Sequence, residues 1–414
     1  MGKIVNEKNI ISVFLLTGLI VVAIKSHSYQ YIGELITATK NEVCSENVEE
    51  TALEVAAEEQ NLKISTVTTD FTSSLWGKQN LVDLNGWISQ KLGMRDFYKN
   101  NGGVVLKNGY IAGIYPYTST EYEVSQMKLL KEYLDQCGIQ LLYVNEPVKY
   151  LKDSDVTEDL GLVSYSNQNA DTFLSGLDNA GITYLDLREK IVEEKKDSYE
   201  MFYRTDHHWT VPSGKWAAEK IVDELNAEYG YDIDKALYQD ENFYYTEYED
   251  AWLGEQGKKL GKAYVGLDDF CEIEPVYDTD YTLYKGESKT DGSFADALIA
   301  KSIYLPENNT DIYSAPSWHY SYIPNMSGSK IVNHNIEIGR VLVLGDSYSQ
   351  VMVPFLSLGA SRVDTLVLRA WDGNLKQYIT DNSYDTVIVA YAQFMIGAHD
   401  NETSANYEMF HFFK

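Results

Sequence analysis

The chain has 414 residues, with 34 Lys+Arg against 62 Asp+Glu and a formal net charge of −28. Hydrophobic residues make up 44% and aromatic residues 13%, which supports a sizeable core and excludes a wholly disordered chain. The acid excess disfavours a general nucleic-acid binder and a broad contact with anionic lipid, because both need a basic surface.

Tyrosine is abundant, 33 of 414 residues. Its flat ring and polar tip suit polar ligands such as sugars, and equally a tyrosine-rich surface with no dedicated ligand. Cys44, Cys137 and Cys271 are scattered and form no CxxC motif. They make neither a disulfide framework nor a zinc site. One disulfide would leave one thiol over.

At the N-terminus, Lys3 and Lys8 precede an apolar run, residues 10–24 (IISVFLLTGLIVVAI). A basic start followed by such a run is an export signal. No strong small-x-small cleavage site follows, so the reading is an uncleaved anchor over residues 1–28, or a cleaved signal peptide. Either places the remainder outside the cytoplasm, as a single-pass cell-membrane protein or a secreted one. Residues 29–80 read as a stalk, with an acidic Ala/Glu stretch and then a Thr/Ser-rich one.

From residue 81 the texture becomes that of a folded domain reaching 414. Residues 83–97 are helix-forming, and residues 100–113 (NNGGVVLKNGYIAG) read as a hairpin. Helices are expected at 120–136, 169–179 and 213–225, with strands at 139–144 (IQLLYV) and 182–187 (ITYLDL). Near the C-terminus come strands 340–344 (RVLVL), 362–368 (RVDTLVL) and 385–391 (DTVIVAY). Helices from 349 and near 375–380 separate them. Continuous apolar strands alternating with helices indicate a mainly parallel sheet covered on both faces, an α/β fold of three layers, α/β/α. Residues 230–335 break this rhythm. They are rich in Tyr, Asp and Gly, show periods of two, and read as a β-rich insertion.

Two segments carry chemistry. In residues 341–349 (VLVLGDSYS) an apolar strand runs into Gly345-Asp346-Ser347, with a helix following. Ligands bind at such strand ends in open α/β sheets, and a helix start offers N–H groups to an oxyanion. Ser347 is therefore a candidate nucleophile, with an ordinary helix N-cap as the alternative. In residues 202–210 (FYRTDHHWT), Asp206 and His208 are two apart in a loop before a helix. A carboxylate there can fix the imidazole tautomer and leave the other ring nitrogen as a base. Asp206, His207 and His208 also allow a metal reading, although no second ligand cluster stands out. Asp206, His208 and Ser347 together supply the three parts of an acyl-transfer triad.

Asp206-His207-His208-Trp209 resembles the signature of the bacterial DHHW family. More widely, a D-x-H motif ahead of a GDS serine resembles the SGNH-hydrolase-like O-acetyltransferases of exopolysaccharide export, of the periplasmic alginate acetyltransferase type. The resemblance covers about residues 83–398, with support from Asn108-Gly109-Tyr110, residues 145–149 (NEPVK) and 184–187 (YLDL). It implies an SGNH-like fold, with Ser347 as nucleophile, His208 as base and Asp206 as its orienter. Trp209 would pack beside His208, and His207 receives no role. Tyr348, Trp209, Arg369 and Asn374 are the candidates for oxyanion or substrate contacts. A backbone N–H of Ser347 is one expected oxyanion donor. This sequence lacks a clear GxND, and Arg369 has Asp372 as an alternative partner.

The implied activity is extracytoplasmic O-acetyl transfer to a polysaccharide or oligosaccharide, with a membrane-bound O-acyltransferase as acetyl source. An acetyl esterase would use the same three residues, and a non-catalytic glycan-binding or scaffold protein is the remaining alternative. Tyr244, Tyr245, Trp252 and Trp318 are candidate glycan contacts in the insertion. No cofactor is implied, since neither a P-loop nor a dinucleotide fingerprint occurs.

Overall fold

A computed structural model describes residues 77–97, 103–300, 311–315, 322, 327–397 and 405–414. The chain divides into two compact units, 1–85 and 86–414. Of the first, only 77–85 are described, and they hold the beginning of a helix, Lys78–Lys91. The export signal and nearly all of the stalk lie outside the described residues, as do Cys44 and Trp318. None of the described helices is long and apolar enough to cross a membrane.

The second unit is built on an eight-stranded sheet. In chain order, a short hairpin comes first, β1 (Val104–Val105) with β2 (Ile111–Ala112). Then follow α1 (Glu121–Cys137), β3 (Gln140–Glu146), α2 (Ser166–Asn179), β4 (Tyr184–Asp186) and α3 (Val211–Glu228). Residues 230–335 contribute β5 (Phe243–Trp252), β6 (Asp268–Pro275), β7 (Tyr281–Lys285), β8 (Ser288–Gly292) and β9 (Ser329–Asn333). The last stretch is β10 (Arg340–Gly345), α4 (Ser349–Leu356), β11 (Arg362–Leu366), α5 (Leu375–Asn382) and β12 (Thr386–Ala392).

The sheet order is β4-β3-β12-β10-β11-β9-β7-β8. The first five strands are parallel, with Val341 of β10 level with Val363 of β11 and Thr386 of β12. The remaining strands, β9, β7 and β8, continue the sheet antiparallel. β5 and β6 form a separate antiparallel pair. The stretch that broke the sequence rhythm thus both extends the main sheet and adds a ribbon.

Crossover handedness gives the three layers. From β3 to β4 the chain moves one way along the sheet, and from β10 to β11 it moves the other way. Right-handed crossovers then place α2 and α4 on opposite faces. α1 packs on α2, and α3 packs on α4. With both faces covered, Val341, Leu342, Val343 and Leu344 are all fully buried. This is why β10 is a continuous apolar run rather than an alternating one. Each such side chain contributes about 1.5–3 kcal/mol of transfer free energy. The crossovers on either side of β12 and β10 diverge, so a crevice opens at their carboxyl ends.

Candidate active site

Ser347 follows the carboxyl end of β10. It lies in the turn before α4, which Tyr348 precedes as N-cap without a side-chain cap. Asp346 is fully buried beneath it. The Asp346 carboxylate accepts the Tyr348 N–H at 2.9 Å and the Ala392 N–H at 2.8 Å. It thereby ties the end of β10 to the end of β12. Burial raises its pKa, and the two backbone donors work against that rise.

Asp206 and His208 come from a tight turn between two antiparallel arms. Phe202 and Trp209 form an isolated bridge, and Thr210 N–H donates to Met201 O at 2.9 Å. Thr210 then caps α3, with Pro212 in its first turn. Trp209 is buried, and its indole N–H reaches Tyr348 O at 2.9 Å. Tyr348 is also buried, and its hydroxyl donates to His207 O at 2.5 Å. Those two bonds fasten the DHHW turn to the serine turn.

The result is a continuous polar chain. His208 Nδ1 lies 2.6 Å from Asp206 Oδ1, and His208 Nε2 lies 2.7 Å from Ser347 Oγ. Asp206 is fully buried and His208 nearly so, while Ser347 is half-buried. A carboxylate on one imidazole nitrogen and a hydroxyl on the other is the geometry for removing the hydroxyl proton.

Several groups that sequence reading missed hold this chain in place. Helix Glu255–Leu260 begins beside the turn, and Glu255 N–H donates to Asp206 Oδ2 at 2.7 Å. Gly254 N–H donates to Thr205 Oγ1 at 2.7 Å, and Gly257 N–H to Thr205 O at 2.8 Å. A Cβ on Gly254 would sit 2.4 Å from Asp206 Cβ, so glycine is required for that approach. Buried Asp268 accepts the N–H groups of Arg204 and Thr205 at 2.8 and 2.9 Å, and the Thr205 hydroxyl at 2.5 Å. Buried Lys149 donates to Ile111 O at 2.6 Å, and burial lowers its pKa to about 7. The one signal in the sequence for the helix contact is the pair Gly254 and Gly257, three apart.

The other sequence candidates fall elsewhere. Asn374 is exposed and caps α5, its Oδ1 accepting the Gln377 N–H at 2.9 Å. Arg369 is exposed and reaches Met395 Sδ at 3.7 Å. Among the described residues neither bonds to Ser347. Tyr244 and Tyr245 are exposed on β5, and Tyr245 OH donates to Asp240 at 2.8 Å. Trp252 is buried against Tyr203, with ring centroids 4.2 Å apart. Cys137 and Cys271 are free thiols.

Asp206, His207 and His208 bring possible metal ligands within 4.8 Å of one another. Both His208 nitrogens are already bonded, to Asp206 and Ser347. A metal there would displace one of those bonds.

Beside His207 lies a small recess of about 10 Å³, walled by Gly113, Tyr115, Lys149 and Tyr348 among others and by neither His208 nor Ser347. A roomier groove of about 500 Å³, walled by Tyr203, Trp216 and Cys271, includes none of Asp206, His208 and Ser347.

Residues 118–254 match the family model described as "SGNH hydrolase-like domain, acetyltransferase AlgX". That stretch contains Asp206 and His208 and ends at Gly254. Comparison with curated proteins gives no match. Among solved structures, PatB1 of Bacillus cereus carrying a sulfonyl adduct is similar with a TM-score of 0.55 at 17% identity, over 72% of this chain and 95% of that one. A DHHW family protein of Eubacterium siraeum is similar with a TM-score of 0.51 at 16% identity, over 70% of this chain and 89% of that one. These two likenesses establish the fold, and the matched stretch identifies the domain built on it. The chain contains an SGNH hydrolase-like domain.

Proposed function

We propose that the protein is an O-acetyltransferase that moves an acetyl group through Ser347 to a hydroxyl of a polysaccharide or oligosaccharide. The observation that carries this reading is the bonded chain Asp206–His208–Ser347 at the carboxyl end of β10, with links of 2.6 and 2.7 Å. The family match over residues 118–254 supports acetyl transfer as the chemistry.

In the first step Ser347 Oγ attacks the acetyl carbonyl and its proton passes to His208 Nε2. The tetrahedral intermediate expels the donor's oxygen, which takes that proton. In the second step the acceptor hydroxyl gives its proton to His208 and attacks the acyl carbon. Ser347 Oγ leaves and recovers the proton. Asp206 keeps the His208 proton on Nδ1 and stabilises the imidazolium. The Ser347 N–H, before α4, is the oxyanion donor of this scheme. The apolar run at 10–24 supports an extracytoplasmic, membrane-anchored setting, where a membrane-bound O-acyltransferase would deliver the acetyl group.

Hydrolysis of p-nitrophenyl acetate by the full chain tests the scheme. Ser347→Ala and His208→Ala are expected to lose activity by on the order of 10⁴–10⁶. Equal rates in all three would remove its basis.

A further inference from the structure

Two buried groups of opposite charge grip the root of the DHHW turn. Asp268, on β6, accepts the N–H of Arg204 at 2.8 Å. Lys149, just beyond β3, brings its Nζ to 3.4 Å from the carbonyl oxygen of the same residue. The anion thus takes the donor of Arg204 and the cation its acceptor. Arg204 O also receives the Ile111 N–H at 2.9 Å, and Lys149 Nζ closes that contact by donating to Ile111 O at 2.6 Å. The end of β3, the hairpin strand β2 and the turn therefore meet on one ammonium.

A lysine usually keeps its charged head in water, yet Lys149 is buried, as are Asp268 and Asp206. Two backbone carbonyls would be served equally by a neutral amide or hydroxyl. A full charge here answers the buried carboxylates instead. Burial lowers the Lys149 pKa to about 7, while Asp268 and then Asp206 favour its charged form. The Tyr110 ring, 5.6 Å from Nζ, favours it too. The field of Lys149 extends to the imidazoles: burial and then His208 hold the His207 pKa down to about 3, and Lys149 acts in the same direction. The rings of His207 and His208 are 3.9 Å apart.

We propose that Lys149 is a positioning residue for acyl transfer: it fastens the DHHW turn through Ile111 O and Arg204 O, and its charge keeps the resting His208 free to take the Ser347 proton, with Asp268 as the opposing charge. This rests on Ser347 carrying the acetyl group and His208 acting as its base. Lys149 exchanges no proton with the substrate in either step. Other titratable groups face the pair: Tyr110 in the hairpin, Tyr348 and Asp346 in the serine turn, and Lys259 on the helix that begins at Glu255. The test leaves them unchanged.

The test is the pH dependence of kcat/KM for hydrolysis of p-nitrophenyl acetate by the full chain, which reports the free enzyme's essential groups. The position of its acidic limb does not depend on the fraction of active protein. Below about pH 7 the Lys149 ammonium is intact, and Lys149→Met removes that charge at similar length. The limb is expected to move about one unit to higher pH, as an imidazolium forms more readily without a neighbouring cation. Asp268→Asn removes the opposing charge and should move the limb to lower pH. The double variant should return it towards wild type. Lys149→Arg, which keeps the charge, should leave the limb in place even where its bulk slows turnover. A purely structural grip would lower rates and stability without moving the limb. A limb that stays put in Lys149→Met, or that moves the same way in Lys149→Met and Asp268→Asn, overturns the proposal. Should Lys149→Met fail to fold, an unmoved limb in Asp268→Asn overturns it alone, and a move to lower pH sustains it. Ester hydrolysis that survives Ser347→Ala instead overturns the acyl-enzyme reading, and the role of Lys149 with it.

Discussion

Substituting Gly254 by alanine tests whether the helix start at Glu255 positions the site. The added Cβ would lie 2.4 Å from Asp206 Cβ, 2.6 Å from Thr205 O and 2.8 Å from Asp206 Oδ2. Carbon atoms pack at about 3.5–4.0 Å, so one side must retreat by roughly an ångström. Thr205 cannot readily do so, because its N–H and hydroxyl are held by Asp268 and its carbonyl by Gly257 N–H. Asp206 would have to yield, with its 2.6 Å bond to His208 and its 2.7 Å bond from Glu255 N–H. Overpacking of this kind costs about 1–3 kcal/mol of stability. A displacement near 1 Å in a catalytic array costs about 10² in rate. Urea unfolding and ester hydrolysis would measure the two effects. Gly161→Ala is the control, since Gly161 caps a helix at φ +68° with no atom near its Cβ position. That change should cost about 1 kcal/mol through backbone strain and leave catalysis intact. A Gly254→Ala protein within threefold of wild-type activity would refute the positioning role of this helix.

Asp206→Asn should lower ester hydrolysis by on the order of 10⁴, since an amide can fix the wrong His208 tautomer; a loss under tenfold in steady-state kinetics would count against the orienting role. Asp268→Asn removes acceptor capacity from a buried carboxylate that holds Arg204 and Thr205, and should cost about 1–3 kcal/mol in urea unfolding. Glu146 is fully buried, and burial, followed by neighbouring Asp346, raises its pKa well above the usual carboxylate range. Its folded form therefore holds a proton that the unfolded chain has released, so this group's contribution is present below its unfolded pKa and is lost as pH rises towards the folded value. Glu146→Gln should flatten the fall in unfolding midpoint above about pH 4.5; an unchanged pH profile would show that Glu146 is ionised in the fold.

The parts of the site that could be read from sequence are local ones. The run 341–344 announced a strand buried on both faces, and Gly345-Asp346-Ser347 marked its carboxyl end. Asp206 and His208 are two residues apart, so their bond needs only a tight turn. The bond from His208 to Ser347 spans 139 residues, and only the pairing of the two motifs suggested it. The helix start at Glu255 was illegible, because its partner Asp206 lies 49 residues away and a Gly-Glu-Gln-Gly stretch reads equally as a loop. Asn374 followed a common rule instead, since an Asn ahead of a helical pattern is a cap. Trp252 ends β5 in a buried position beyond an irregularity between Tyr248 and Trp252, so simple alternation along the strand could not have placed its ring against Tyr203. The ring contacts of Phe394 with Tyr115 and His207 join three distant segments, and no spacing in the sequence could have foretold them.

The most direct test of the acyl-enzyme is mass spectrometry of the full chain mixed with p-nitrophenyl acetate and quenched in acid during turnover. The account predicts an acetyl group on Ser347, absent in His208→Ala and removed faster when methyl β-D-glucopyranoside is present. Turnover with no acetyl group on Ser347, or with the group on another residue, would contradict it.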